Sequence, residues 1–409
     1  MKSPVNPLEI PPILSTLCQS DGPAPQSHVL PGVYVHIPFC RTKCTYCAFV
    51  SGDFDESLAA RYLPALELEI RSAGKAAGRP RVDSVFFGGG TPSLLPAGEL
   101  VHLVEVVRES FDVARDAEVT VEMNPGTLTP EKLAAYREGG VNRASVGVQS
   151  FDNAELEAIG RVHDADDARA AVRMLRDAGF DNLSLDLIAG LPLQRIETWR
   201  RNLESAIALA PDHLSLYLLE LHPGTRLARD VEAGRVVRPD DDVAATMYDE
   251  MVDRLTDAGF VQYEISNFAR TMPGGGDRRS RHNEKYWLDA EYFGFGVSAH
   301  GYVNGERRSN VRSIAGYADA IEAAGDATHE SICLDARDRA AEAAFLGLRR
   351  LEGIDLERFE ERYGINLMHA FAEGLEPLLA AGLLDASAGR LRLTRSGLLL
   401  SNEVFQAFV

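Results

Sequence analysis

The sequence predicts an α/β protein: a partial (β/α)6, TIM-like barrel followed by a C-terminal helical domain of winged-helix type. Three observations predict it. Six short apolar runs between Val33 and Leu219 alternate with stretches of helical periodicity, as in a parallel sheet joined by crossover helices. Polar or glycine-rich positions stand at the carboxyl end of each run, the edge where barrels gather their chemistry. Beyond about Gly325 this alternation stops and the chain becomes helix-rich.

The elements follow in order. Residues 1–31 carry seven prolines and no periodic apolar pattern, so they are read as a flexible extension. Val33–Ile37 is the first strand, and Leu58, Tyr62, Leu66 and Ile70 share one face of the helix after it. Val82–Phe87 is the second strand, followed by a helix marked by Leu100, Leu103, Val104 and Val107. Val119–Met123 is the third, and Thr129-Pro130 caps the next helix. Val141–Val148, Leu183–Ile188 and His213–Leu219 complete the six, with helical stretches at 152–160, at 164–179 and through Trp199. A less regular continuation runs through a helix near Asp241–Gly259 and a strand at Val261–Ile265. The domain plan is therefore an extension (1–31), a barrel (32–265), a connecting segment (266–329) and a terminal domain (330–409) whose hairpin turns at Ala388-Gly389. An open doubly wound sheet fits the same alternation; the gathering of polar residues at one edge favours the barrel.

Composition narrows the partners. Acidic residues outnumber basic ones by 61 to 42 among 409 residues, which argues against nucleic acid or an anionic membrane surface. The terminal domain lacks the dense basic face that DNA binding needs. No apolar run reaches the roughly 18 residues of a membrane span, and Pro11 and Pro12 break the only N-terminal apolar stretch. Clustered thiols without a secretion signal point to the reducing cytoplasm, with any membrane contact made through a partner.

The chemistry centres on Cys40, Cys44 and Cys47, three of the five cysteines, packed into one loop directly after the first strand. Structural zinc sites close on four ligands, and no second Cys-x-x-Cys follows. Three thiolates suit an iron–sulfur cluster with one iron left open. Zinc with His36 or a distant residue as fourth ligand, and inert buried thiols, stay as alternatives.

Cys40-x3-Cys44-x-Tyr46-Cys47 resembles the signature of the radical S-adenosylmethionine (radical SAM) proteins. The resemblance implies a [4Fe-4S] cluster on Cys40, Cys44 and Cys47 whose open iron is chelated by SAM, and whose electron cleaves SAM to methionine and a 5'-deoxyadenosyl radical. The flanking Tyr34-x-His36-Ile37-Pro38-Phe39 resembles the coproporphyrinogen III oxidase-like branch. Further motifs stand in that branch's order: Gly88-Gly89-Gly90-Thr91-Pro92, Glu122-Met123-Asn124-Pro125, Arg143-x-Ser145-x-Gly147-Val148-Gln149, Gly160-Arg161-x-His163 and Asp186 to Pro192. By resemblance they place SAM contacts on Gly89, Gly90, Thr91, Glu122, Gln149, Arg161 and Asp186, with Tyr34 and Tyr46 near the cluster. Read alone, the glycines also suit a turn, Glu122 a solvated loop, and Arg161 with Asp186 an ordinary ion pair.

Two features sort within the branch. The oxidases carry a fourth cysteine two positions after the third, where Phe49 stands here. His282-Asn283-Glu284-Lys285-Tyr286-Trp287 matches the His-Asn-x-x-Tyr-Trp motif of the branch's haem chaperones. The resemblance therefore implies a protein that takes haem as cargo and delivers it to membrane respiratory haem enzymes. Oxygen-independent coproporphyrinogen III oxidation and a haem-binding sensor are the alternatives. His282 reads either as a haem ligand with aromatic neighbours or as a histidine packed between barrel and terminal domain; His300 is a second candidate.

Overall fold

The computed structural model describes residues 29–237, 240–271 and 276–408. The expected flexible extension, 1–31, lies almost wholly outside them. The six predicted strands are present in order: β1 (Gly32–Ile37), β2 (Arg81–Gly89), β3 (Asp112–Met123), β4 (Arg143–Gln149), β5 (Leu183–Ala189) and β6 (His213–Leu218). Each is parallel to the next, so all six carboxyl ends lie on one edge.

The helices between them form where caps and apolar faces coincide. Asp55 accepts a hydrogen bond from the Leu58 amide and starts α1 (Glu56–Ala76), which buries Tyr62, Leu66 and Ile70. Thr129 caps the helix Pro130–Glu138, with Pro130 in its first turn as expected. Asp152 and Asp164 cap the next two helices in the same way. The helix Ile196–Ala208 buries Trp199, whose indole donates to the Met247 carbonyl across the layer.

The sheet extends beyond the six strands on both sides. After β7 (Phe260–Gln262) and β8 (Asn267–Arg270), the chain crosses to the far edge, where β9 (Tyr292–Phe295) lies parallel to β1. Three antiparallel strands follow it: β10 (His300–Val303), β11 (Glu306–Asn310) and β12 (Thr328–Cys333). The twelve-stranded order is β12-β11-β10-β9-β1-β2-β3-β4-β5-β6-β8-β7, an open arc rather than a closed barrel. Residues 266–329 thus supply strands to the sheet itself. The seventh parallel strand is not visible in the sequence pattern because Tyr-Phe-Gly-Phe is short and does not alternate.

Gly294 lets β10 close on β9, and Gly296 lets the chain after β9 close on β1 and α1. A Cβ on Gly294 would lie against the His300 carbonyl, and one on Gly296, whose φ is +97°, would meet the Tyr62 hydroxyl and the His36 carbonyl. Terminal helices beginning at Ala336 pack with a small antiparallel sheet of β13 (Ile354–Asp355), β14 (Leu384–Ser387) and β15 (Arg390–Leu393). The expected hairpin turns at Ala388-Gly389, and Thr394 caps the helix after it. Among the described residues no helix is long and apolar enough to cross a membrane.

Candidate cluster and cofactor site

The cysteine loop leaves β1 at Ile37, and its base is closed by a two-residue parallel pairing of Phe39–Cys40 with Gly52–Asp53. Neighbouring strand ends fix it. The amides of Gly90 and Thr91 donate to the carbonyls of Ile37 and Phe39 at 2.8 Å each. Further along, Thr45 donates to the Ile159 carbonyl (3.1 Å) and accepts from the Leu227 amide (2.8 Å). The glycine run permits this contact: a Cβ on Gly90 would stand 2.8 Å from both of those loop carbonyls, and one on Gly89, at φ +109°, would strike the His36 ring. Close approach of backbone to the cysteine loop is thus one purpose of Gly89 and Gly90.

Cys40, Cys44 and Cys47 are free thiols, each part-buried. Arg161 places Nη1 3.4 Å from Cys44 Sγ, and the Thr91 hydroxyl donates to Cys40 Sγ at 3.7 Å. Burial pushes the Cys40 and Cys47 thiols up. Among the described residues no three His, Cys, Asp or Glu side chains converge as a single ion requires. A [4Fe-4S] cluster does not require it, since each thiolate bonds a different iron.

The thiols open onto a cavity of about 610 Å³, within the range of small-molecule sites. The expected cluster and SAM residues all line it except Tyr34, and neither haem-ligand candidate, His282 or His300, does. Glu122 receives the Gly89 amide on Oε2 (3.0 Å); burial and the nearby Asp186 push its carboxyl up to about 7. Asp186 is raised by burial and accepts the Ser145 hydroxyl at 3.2 Å. Arg161 and Asp186 form no ion pair; Arg161 instead bonds the Gly147 carbonyl and faces Cys44. Gln149 has φ +68° beside a register shift between β4 and β5, so the bulge aims its side chain at the cavity edge. Tyr46 completes the wall, its hydroxyl kept protonated by burial.

Tyr34 and His282 line a second chamber, of about 470 Å³, farther into the arc. The two chambers share Phe49, Gly89, Glu122, Asp186 and Tyr217, so they adjoin. Tyr34 stacks on Phe86 (ring centroids 6.2 Å apart) and bonds His36 Nδ1 at 3.0 Å. His282 is 1% exposed, with Nδ1 3.1 Å from Ser84 Oγ and Nε2 2.9 Å from the Tyr286 hydroxyl. Burial pushes its pKa down to about 3. His300, by contrast, is exposed at the chamber's rim.

Sequence reasoning gave no role to three further residues of this wall. Arg143 is 1% exposed, its Nε 3.9 Å from Glu118 Oε2 but without a hydrogen bond, and it lines the inner chamber. Ser215 and Tyr217 face the same chamber two residues apart on β6, where strict alternation in Ser-Leu-Tyr-Leu is a signal that could have found them.

Relatives fit this geometry. The haem chaperone HemW of Bacillus subtilis is 38% identical over 377 residues, covering 92% of this chain and 98% of its own. The chain belongs to the HemW family. HemW of Mycobacterium tuberculosis is likewise 38% identical, covering 92% of this chain and 94% of its own. The mouse mitochondrial radical S-adenosyl methionine domain-containing protein 1 is 35% identical (92% and 87%). The radical SAM superfamily model matches residues 34–206, and the HemN C-terminal domain model matches 334–400. Among solved structures, Escherichia coli coproporphyrinogen III oxidase (HemN), a radical SAM enzyme, superposes with a TM-score of 0.81 at 26% identity, covering 93% of this chain and 90% of its own. Membership of this radical SAM family implies a [4Fe-4S] cluster and SAM, and the residues fit both. Three uncommitted thiols share one loop beside a cation, and a cavity with two enclosed carboxylates opens from them.

Proposed function

We propose that this HemW-family chain is a haem chaperone. It takes haem as cargo beside a [4Fe-4S] cluster and hands it to a membrane respiratory haem enzyme. The observation that carries this reading is the inner chamber. Its walls are aromatic (Tyr34, Phe86, Tyr286 and Tyr292), it holds histidine and arginine, and it adjoins the cysteine cavity. The relatives named haem chaperones support it.

Cys40, Cys44 and Cys47 hold the cluster. Gly89, Gly90, Thr91, Glu122, Gln149, Arg161 and Asp186 line the adjoining cavity and would hold SAM there, with Tyr46 beside the thiols and Tyr34 and His282 in the wall of the haem chamber. When bound, the cluster supplies one electron at a time to SAM. Arg161, with Nη1 3.4 Å from Cys44 Sγ, places a cation beside the thiols that would hold the cluster. Glu122 and Asp186 offer acceptors to hydroxyl or amino groups, and burial raises both carboxyls above their ordinary values.

The likeness to E. coli HemN favours a second reading, coproporphyrinogen III oxidation. Phe49, in the place of the fourth cysteine, speaks against it. Anaerobic, cluster-reconstituted protein with SAM and a reductant separates the two. The expected result is no protoporphyrinogen from coproporphyrinogen III, but loss of bound haem to vesicles carrying a haem-free respiratory enzyme. Product over many turnovers would establish the oxidase instead.

A further inference from the structure

We propose that His300, not His282, supplies the nitrogen that ligates haem iron in the inner chamber, with Arg312 beside it for a haem propionate. The inference rests on the haem-chaperone reading above. It arises from comparing the three histidines of the chamber wall: His36, His282 and His300.

His36 is 4% exposed, with Nε2 2.8 Å from the Val50 carbonyl and Nδ1 bonded to Tyr34. His282 has both nitrogens committed as well, and its ring lies between Phe86 and Tyr34 at centroid distances of 5.3 and 6.2 Å. To reach an iron, either imidazole would have to free one nitrogen from a buried hydrogen bond and leave the partner unmet, costing about 1–3 kcal/mol. His300 is exposed, and its ring is hydrogen-bonded to no described residue.

The backbone that carries His300 is firmly placed. It pairs with Ser309 on β11, and a Cβ on Gly294 would collide with its carbonyl. Ser298, at φ +56°, turns the chain just before it. Burial, then the Arg312 and Arg307 charges, lower the His300 pKa, which favours the neutral imidazole, the form that donates a lone pair to iron. Arg312 is exposed, lines the same chamber and forms no ion pair among the described residues. Phe49 and Tyr217, 63% and 43% exposed, offer apolar faces for a flat macrocycle. Ligation makes one Fe–N bond, displaces a water from the iron and transfers no electron. A rim ligand also suits cargo that must leave, whereas His282 acts through Tyr286 to hold the wall.

The test is haem titration of the full-length, cluster-reconstituted protein, read by absorption and EPR, with His300→Gly, His282→Gln and Arg312→Ala alongside. In His300→Gly the imidazole-ligated signature disappears, affinity falls at least about tenfold, and added free imidazole restores the signature. Arg312→Ala binds more weakly with the signature unchanged. His282→Gln keeps the signature. An unaltered spectrum in His300→Gly overturns the assignment, as does an imidazole-rescuable loss in His282→Gln alone. Failure of the unsubstituted protein to bind haem overturns both this assignment and the chaperone reading beneath it.

Discussion

Cys40, Cys44 and Cys47 were legible because everything that defines them is local: three thiols within eight residues after an apolar strand. Their environment was not. Arg161, the cation against Cys44, is 117 residues away in sequence, and only the return of β4 through its helix brings it there. His282 shows the same limit from the other side. Its motif reads either as a ligand with aromatic walls or as a histidine packed between barrel and terminal domain, and neither reading shows that Ser84, 198 residues earlier, takes one nitrogen from inside the sheet. At this scale, Cys44→Ala is expected to abolish the iron–sulfur absorbance while leaving the fold intact. Iron and acid-labile sulfide assays check it, and full retention of both would remove Cys44 from the ligand set.

Among the elements, long amphipathic helices and the six main strands were readable from period and caps alone, because their apolar faces are continuous. β9 was not, since a four-residue strand broken by glycine gains its place from β1 rather than from its own pattern. How α1 is fastened to that edge was equally hidden. Glu69 on α1 accepts the Gly296 amide (2.8 Å), the Asn310 side chain (2.6 Å) and the Tyr317 hydroxyl (2.5 Å), joining helix, strand edge and the helix Ile314–Ala324. Burial pushes its carboxyl up to about 7. In the unfolded chain it ionises near the ordinary value of about 4.3, so between the two the unfolded state sheds a proton that the folded state keeps. Stability therefore falls as pH rises from about 4.3 to about 7, by at most about 4 kcal/mol, and levels off above. Glu69→Gln is expected to flatten this part of the profile, measured as urea midpoints between about pH 5 and 8. An undiminished slope would mean the dependence arises elsewhere.

At the scale of the molecule, the helix Arg281–Trp287 links the two ends of the chain's architecture. Its first turn faces the inner chamber through His282, while its last residue, Trp287, carries the Arg349 guanidinium 4.4 Å above its ring. Arg362 reinforces the joint by donating to the carbonyls of Leu288 and Asp289 at 3.0 and 2.8 Å, and the Tyr363 hydroxyl donates to Asp289 at 2.9 Å. Trp287→Ala is expected to cost about 1–2 kcal/mol and to hasten proteolysis within the terminal helices. Unchanged digestion and melting would shift the joint's strength to Arg362 and Tyr363. The anchoring of the cysteine loop has a different consequence, for biogenesis. Its backbone is held by Gly90, Thr91, Ile159 and Leu227, contributed from well-separated parts of the chain, and none of these bonds involves a thiol. Small zinc modules take their shape from the metal; this loop takes its backbone partners from the strands and helices around it. Cluster-free protein is therefore expected to keep the loop's backbone, and amide hydrogen exchange at Thr45, Gly90 and Thr91 checks it: rapid exchange there without the cluster would mean that the cluster itself orders the loop.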